Sequence, residues 1–516
     1  MTGCYDINGF LSTRTDAATN TTTYVNNDVG WKLRETDALG EPTSYTYDLN
    51  GNPVRIRDAI GRDFSRSYDA NGNLLSASDG KGRLTTYAYD AANQRTNMTD
   101  RTKTNVWSYV YTSRGKLDHV TDPLGHSVTN TYDTANRLIQ VTDPLGQSIT
   151  NQYDANGNLV AFFDQTGQRW AKTYDRLNRV IAESDPLGNA RSTTYDVAGR
   201  IQQITSPNGY PSLHAYDGRG RLARWTDPEN YVWRYDYDGV GNITNITDAL
   251  GGRYVMAYGP RNERLLERNQ DGFEWRYAYD KLARLKQQTD PNGTARTPTY
   301  DPAGRVLFVD FSSGRRDAFT PDANDNITAV SRSDPDGTTT PTQFIYDPLD
   351  RVVEQDDALF QTVLYGYDPL GRVTTVTYPG GNTLTNGCDA LGRLTNQVDW
   401  AGRKTSYAYD AANRLIRRSY PNGVLQTNTF NPAGRLSGIW YRAPGLVTTN
   451  AISIALTYAY DRNGNKVGGG EQGTMEWPLP TLTDERADYT AAGRLKTRSI
   501  TNTGTNAVPS PGGEIP

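Results

Sequence analysis

A histidine, a carboxylate and a hydroxyl placed together can activate a nucleophile, and the segment holding Ser108, His119, Asp122 and Ser127 contains all three residue types. A hydrolytic triad, however, needs one unique constellation whose base is oriented by its acid. Here each Asp and Ser has counterparts at equivalent places along the chain, so the set reads as part of a period. Asp322-Ala-Asn-Asp-Asn326 opens like a calcium loop, but its sixth position is Ile327 rather than Gly and its twelfth is Ser333 rather than Glu. It reads as an Asp/Asn turn. Three His (His119, His126, His214) and two Cys (Cys4, Cys388) are too few and too scattered for zinc-ligand spacing. A disulfide between those cysteines would require the two ends of the chain to meet, and Cys388 is expected to be a small buried apolar residue. Tyr and Trp faces flanked by Asn and Asp are also the chemistry that stacks on sugar rings. The strand pattern described below places those aromatics on the face that needs burial, so they are assigned to packing. The expectation is a non-enzymatic chain with no catalytic residues, no cofactor and no metal.

Composition narrows the class further. Only 36% of the 516 residues are apolar and mean hydropathy is −0.71, against about 45–50% apolar in an ordinary globular protein. A thick core is hard to assemble from this chain. The 34 Tyr and 49 Gly equally set it apart from the aromatic-poor composition of disordered sequences. Basic residues (54) and acidic ones (58) nearly cancel and are interleaved, so the stripe needed to track a phosphate backbone is missing and nucleic acid is not an expected partner. The first residues have neither a basic nor an apolar signal region, and no run of eighteen apolar residues occurs, so no signal peptide and no membrane-spanning helix are read in this chain.

The elements that carry these residues follow one period. Tyr-Asp pairs begin at Tyr47, Tyr68, Tyr89, Tyr132, Tyr153, Tyr174, Tyr195, Tyr216, Tyr237, Tyr279, Tyr300, Tyr346, Tyr367, Tyr409 and Tyr460. Asn26, Tyr111, Tyr258, Cys388 and Phe430 hold the same register in degenerate units, and Phe319 and Tyr489 mark units outside it. Counted from Tyr5 there are twenty-three units, and seventeen of the twenty-two intervals are 21 residues. Each unit contains two turns, Asp-x-x-Gly/Asn after the Tyr and Asp-Pro-Leu-Gly or its like eleven residues after it. Asp at the first position and Pro at the second are the preferences of a type I turn. Twelve of the first fourteen units keep the second Asp, with Ser206 and Asn269 the exceptions. Between turns, segments such as Trp107-x-Tyr109-x-Tyr111 and Tyr231-x-Trp233-x-Tyr235-x-Tyr237 alternate strictly, as strands do. The outgoing segment does not alternate: Leu138, Ile139 and Val141 predict a bulge or a strong twist.

Two strands per unit predict an all-β chain, a long coiled strip on the order of 220 Å at ~4.8 Å per strand. Such a strip must curl, and closed once it would be roughly 70 Å across, too wide for side chains to fill across the ~10 Å gap of packed sheets. A curved or hollow, shell-like sheet is the expectation. Residues 1–430 are expected to form the regular array, with an irregular insert near 301–345 that resembles a lengthened surface loop. Residues 431–499 should form irregular terminal repeats, interrupted around Gly468–Gly470 and Pro478–Pro480, and 500–516 a disordered tail.

These Tyr-Asp-x-x-Gly-Arg-Leu units, alternating with Thr-Asp-Pro-Leu-Gly turns over residues 5–499, resemble the RHS/YD-repeat family of bacterial polymorphic toxins, toxin-complex components, wall-associated proteins and teneurins. The resemblance implies repeats that coil into a large β-shell able to enclose a toxic C-terminal polypeptide. Full-length toxins of the family carry a further core segment, whose Asp-Pro-x-Gly motifs take part in self-cleavage, and then an effector. Asp122, Asp143 and Asp185 sit inside ordinary repeats, so that role is not carried onto them. The chain opens inside a repeat and ends without either of those segments, so a shell segment of a secreted or cell-surface protein is expected. Its partners would be an enclosed toxin polypeptide or other shell segments, or alternatively, for an adhesion module, a cell-surface glycan.

Overall fold

The computed structural model describes residues 2–359, 361–442, 454–473, 483–489 and 495–502. It contains 46 strands, from Thr2–Tyr5 to Leu495–Asn502, and no helix among the described residues. Among the described residues, then, no helix is long and apolar enough to cross a membrane.

One unit shows how the sequence makes the fold. Leu138–Thr142 runs outward, Ser148–Tyr153 returns, and the pair is antiparallel with Val141 opposite Ile149. The return strand then pairs with Leu159–Phe163 of the next unit. The intervening turn is closed by the Gly146 amide donating to the Asp143 carbonyl at 3.0 Å and by the Asp143 amide donating to Gln147 O at 2.9 Å. Asp143 Oδ1 accepts two more amides, from Leu145 and Gln147, each at 2.9 Å. The carboxylate thus satisfies the donors that the reversal strips from the ladder, which is why Asp recurs there. The fourth turn residue has φ of 79° at Gly146, a conformation costly for a β-branched side chain. Gly146→Val should therefore lower stability by about 1 kcal/mol or more, entirely through the backbone, since a Cβ there meets nothing within 4 Å. A denaturation midpoint unchanged from wild type would refute this turn geometry.

The predicted bulge is present and recurrent. Thr131 faces Gln140 while Tyr132 faces Leu138, so Ile139 is the extra residue. The same slip stands at Gln152/Tyr153, Thr173/Tyr174 and Thr194/Tyr195. It brings Leu138 and Val141 to one face although they are three residues apart, which is the broken alternation seen in the sequence.

No conventional core forms. Among the described residues each strand packs against its chain neighbours alone, and Ala161 and Ala455 are the only buried apolar residues. The low apolar content matches this scarcity of buried apolar side chains. The chain forms two compact units, Met1–Ser127 with Arg234–Thr383, and Val128–Trp233 with Leu384–Pro516. Each is built from two stretches of repeats far apart in sequence.

The irregular segments differ from expectation. Pro321, not Phe319, occupies the Tyr place: it pairs with Ile327 across the bulge, and Asp322 caps the turn that follows. This restores the 21-residue step from Tyr300. The expected loop near 334–341 is a longer hairpin, Ile327–Ser333 with Thr339–Tyr346, whose strands have seven and eight residues in place of the usual five and six. Gly468–Gly470 likewise lie in a strand, Lys466–Gly473, paired with Ile454–Tyr460. Leu495–Asn502 is a strand, so regular structure runs past residue 500. Pro478–Pro480 and residues 503–516 lie outside the described residues.

Candidate functional site

The recurring chemistry of the chain is a stitch between successive units. Thirteen tyrosines at the repeat position donate their hydroxyl to the carbonyl at the bulge of the preceding unit, as Tyr153 does to Leu138 O at 2.9 Å and Tyr195 to Val180 O at 2.7 Å. The bond survives where the interval lengthens: Tyr346 reaches Ile327 O at 2.7 Å and Tyr460 reaches Leu436 O at 2.7 Å. It also survives loss of the Tyr. Asn26 donates its amide to Leu11 O at 2.9 Å, and where Phe430 lacks a hydroxyl, Asn428 donates to Leu415 O at 2.9 Å. Burial pushes the hydroxyls of Tyr300, Tyr346, Tyr367 and Tyr409 above their usual pKa, which keeps them protonated as donors.

Arginine makes the second half of the stitch. In Tyr-Asp-x-x-Gly/Asn-Arg the guanidinium binds its own turn Asp and lies over the Tyr of the next unit. Arg179 Nε is 2.7 Å from Asp175 Oδ2, and its guanidinium stands 4.4 Å from the Tyr195 ring centroid. Arg137, Arg200, Arg284, Arg351 and Arg393 repeat the arrangement over Tyr153, Tyr216, Tyr300, Tyr367 and Tyr409 at 4.5–5.0 Å. The Arg179 backbone amide and then its guanidinium hold the Asp175 carboxyl below the usual range. A cation over an aromatic face adds to the pairing.

A different site joins distant repeats. In the first unit, the second-type turns of the early stretch meet the Tyr-Asp turns of the later one, edge to edge. Arg62 Nη1 is 2.5 Å from Asp325 Oδ1, a separation of 263 residues or about twelve repeats. Asp350 Oδ1 accepts from Arg83 Nη2 at 2.9 Å, Asn326 at 2.7 Å and Asn324 at 3.0 Å, and its Oδ2 lies 2.5 Å from Arg101 Nη1. Asp79 Oδ2 faces Arg101 and Asn324, each at 2.9 Å. Lys81 pairs with Asp322, and the Asn105 amide reaches Pro369 O at 3.4 Å. The second unit has a sparser version: Asn208 donates to Asp461 Oδ2 at 3.0 Å, and Arg435 stands 3.6 Å from Asp185.

Burial would raise the Asp79 carboxyl, but hydrogen bonds from Asn324, Arg101 and Arg83 outweigh it and bring the pKa down to about 2. Asp350 is likewise pulled far below the carboxylate range against its burial, by Asn324, Asn326, Arg101 and Arg83. Because these folded-state values lie below the unfolded value of about 3.9, the carboxylates lend the seam stability that is complete above about pH 4 and lost as pH falls through about 2. Acid titration by circular dichroism should show wild type losing stability from pH 4 downward, with less loss in Asp350→Asn. Parallel acid profiles for the two proteins would contradict this assignment.

The hydrolytic set does not assemble. His119 Nδ1 is paired with Asp118 Oδ2 at 2.8 Å, not with Asp122, while Asp122 Oδ2 faces His126 Nδ1 at 3.1 Å. Ser127 shares a hydrogen bond with Thr121 at 2.7 Å. His214 is held below its usual pKa by burial, and its Nδ1 meets no partner. No group of three His, Cys, Asp or Glu suited to a metal ion occurs among the described residues, and Asp322–Asn326 is a repeat turn. Cys4 is exposed, Cys388 half-buried, and both are free thiols. Cys388 faces Leu394 as Tyr132 faces Leu138, so Cys388→Tyr should be tolerated without a fall in melting temperature, and marked destabilisation would show that the Tyr row is constricted there.

The seam residues were not found from sequence. A signal existed: Asp325 and Asp350 take the left-handed turn position, φ 67° and 64°, where Gly or Asn stands in most units. A non-Gly residue held there needs compensation, and the arginines opposite supply it.

A chain whose repeats are joined by Tyr hydroxyl, Arg stack and Asp-capped turn is a YD-repeat strip. Residues 40–214 match the family model described as Teneurin YD-shell, and residues 216–253, 322–359, 346–383 and 389–425 match that of the RHS Repeat. The chain belongs to the RHS/YD-repeat family. Among solved structures it is similar to TcdB2-TccC3 without its hypervariable C-terminal region, at 14% identity and a TM-score of 0.68, covering 98% of this chain and 34% of that one. It is also similar to the Photorhabdus luminescens Tc holotoxin pore, at 14% identity and a TM-score of 0.65, covering 94% and 31%. The shared property at this identity is the fold, and this chain spans about a third of theirs. No curated protein sequence matches it.

Proposed function

We propose that this chain is a non-enzymatic wall segment of a secreted, toxin-type RHS/YD shell that encloses or carries an effector polypeptide. The observation that carries the reading is the seam: stretches of strip about twelve repeats apart are joined edge to edge, while strands pack against their chain neighbours alone. A wall is what such a sheet can make, since its distant stretches meet at seams and, among the described residues, Ala161 and Ala455 are the only buried apolar ones. The stitch supports a mechanical role, because at thirteen repeats the tyrosine hydroxyl is engaged in tying the repeat to the one before it.

Small-angle scattering on the chain tests the wall. A filled globule of 516 residues would have a radius of gyration of about 24 Å. A clearly larger radius, with a pair-distance distribution depleted at short distances, is expected, and a solid-sphere profile near 24 Å would refute it. Cargo enclosure is tested separately, by protease resistance of an effector polypeptide expressed together with this chain. Specific micromolar binding on a glycan array would favour the adhesion reading instead.

A further inference from the structure

One repeat lacks its tyrosine and retains the place for it. At position 321, where the stitch calls for Tyr, stands Pro321, and the sheet has an open depression of about 310 Å³ lined by Arg305, Val306, Val309, Phe319, Asp325 and Ile327. These correspond, 21 residues on, to the positions that surround Tyr300 one unit earlier. There Arg284 stands 4.5 Å above the Tyr300 ring and Leu285 O accepts its hydroxyl at 2.9 Å. Arg305 is held in the same way as Arg284, with Nε 2.6 Å from Asp301 Oδ2 and Nη1 2.7 Å from Asp322 O, yet no ring lies beneath it. The carbonyl of Val306 corresponds to that of Leu285, and no side-chain donor among the described residues reaches it. Two other departures from Tyr behave differently, since Asn26, and Asn428 beside Phe430, each supply the missing donor. Val309 stands where the filled site has Gln288, so the walls are more apolar than around Tyr300.

We propose that this depression binds a tyrosyl side chain presented by another polypeptide. A guanidinium over the ring and an acceptor carbonyl for the hydroxyl together hold the phenol at Tyr153, Tyr195, Tyr216, Tyr300, Tyr367 and Tyr409. At the other sites the ring arrives on a polypeptide strand with its backbone beside it, and the depression opens on the same face of the sheet. A phenylalanine would fill the walls and leave the Val306 carbonyl without its donor, a cost of about 1 kcal/mol for a neutral hydrogen bond. The site lies within the first unit and does not depend on whether the wall encloses cargo.

The test is saturation-transfer NMR on the full chain with N-acetyl-tyrosine methylamide, its phenylalanine analogue and p-cresol as probes. The tyrosine derivative should bind, the phenylalanine derivative about five- to tenfold more weakly, and p-cresol more weakly than the tyrosine derivative. Pro321→Tyr supplies the ring from within and Val309→Trp fills the space, so either should abolish binding; the second serves if the first fails to fold. Equal affinity for the two amino-acid probes, no binding of either, or binding that persists in a filled variant would overturn the proposal. Tighter binding of p-cresol than of the tyrosine derivative would overturn the polypeptide source.

Discussion

Gly80→Ala should break the seam of the first unit although it adds a single methyl group. A Cβ at position 80 would lie 1.9 Å from the Ala323 carbonyl oxygen, a backbone atom that cannot move aside without carrying the Tyr-Asp turn of the later stretch with it. Overpacking of this kind costs about 1–3 kcal/mol, and backbone contact on both sides puts this case at the upper end. Gly218→Ala is the control: it too lies in a turn, has no positive φ, and its Cβ would meet nothing within 4 Å. Asp350→Ala tests the same seam through its charges. The substitution takes one carboxylate from the Arg83 and Arg101 guanidiniums and leaves the two to share Asp79 alone. Breaking a buried pair costs about 3–5 kcal/mol. The side chains here are about one-fifth exposed, so about 2–3 kcal/mol is expected after solvent screening. Urea melts give the size and hydrogen exchange gives the place, with protection falling in the turns at 79–83 and 322–326. Wild-type stability in both variants would mean that the edges do not hold each other.

What the sequence disclosed and what it hid divide along one physical line. The 21-residue period, the Asp-capped turns and the bulge after each Tyr are properties of residues close in the chain. The broken alternation of Leu138, Ile139 and Val141 pointed to the extra residue that the register contains at Ile139. The seam is another matter, because its partners are about twelve repeats apart and that spacing depends on how the strip curls. No local pattern sets it. Pro321 was misplaced for a simpler cause: aromatic identity led to Phe319, when the turn-capping Asp322 was the better marker of register. The arginine that stacks on the next tyrosine was visible as a recurring Gly-Arg or Asn-Arg, but its role shows only when neighbouring units are set side by side.

Tyr195→Ala should be the most damaging change within the regular array, and it separates three contributions that the sequence joins in one residue. The ring is half-buried beside Val180 and under Arg179, and its hydroxyl bonds Val180 O at 2.7 Å. Removing a buried aromatic ring costs about 3–5 kcal/mol, and half-burial brings the expectation to about 2–3 kcal/mol. Tyr195→Phe keeps the ring and removes the donor, so about 1 kcal/mol should be lost. The remainder belongs to packing and to the guanidinium, and a double-mutant cycle with Arg179→Met isolates the latter at about 0.5–1 kcal/mol for a cation over an accessible ring. The damage should stay local. Repeat arrays are stabilised by nearest-neighbour interfaces, so hydrogen exchange should rise in Val180–Ser184 and Ala190–Tyr195, the strands on either side of the lost stitch, while Leu138–Thr142 keeps its protection. Uniform loss of protection across the second unit would mean that the units fold as one block and that the tyrosine row is a continuous core. A Tyr195→Phe variant as unstable as Tyr195→Ala would mean that the hydroxyl, not the ring, holds successive repeats together.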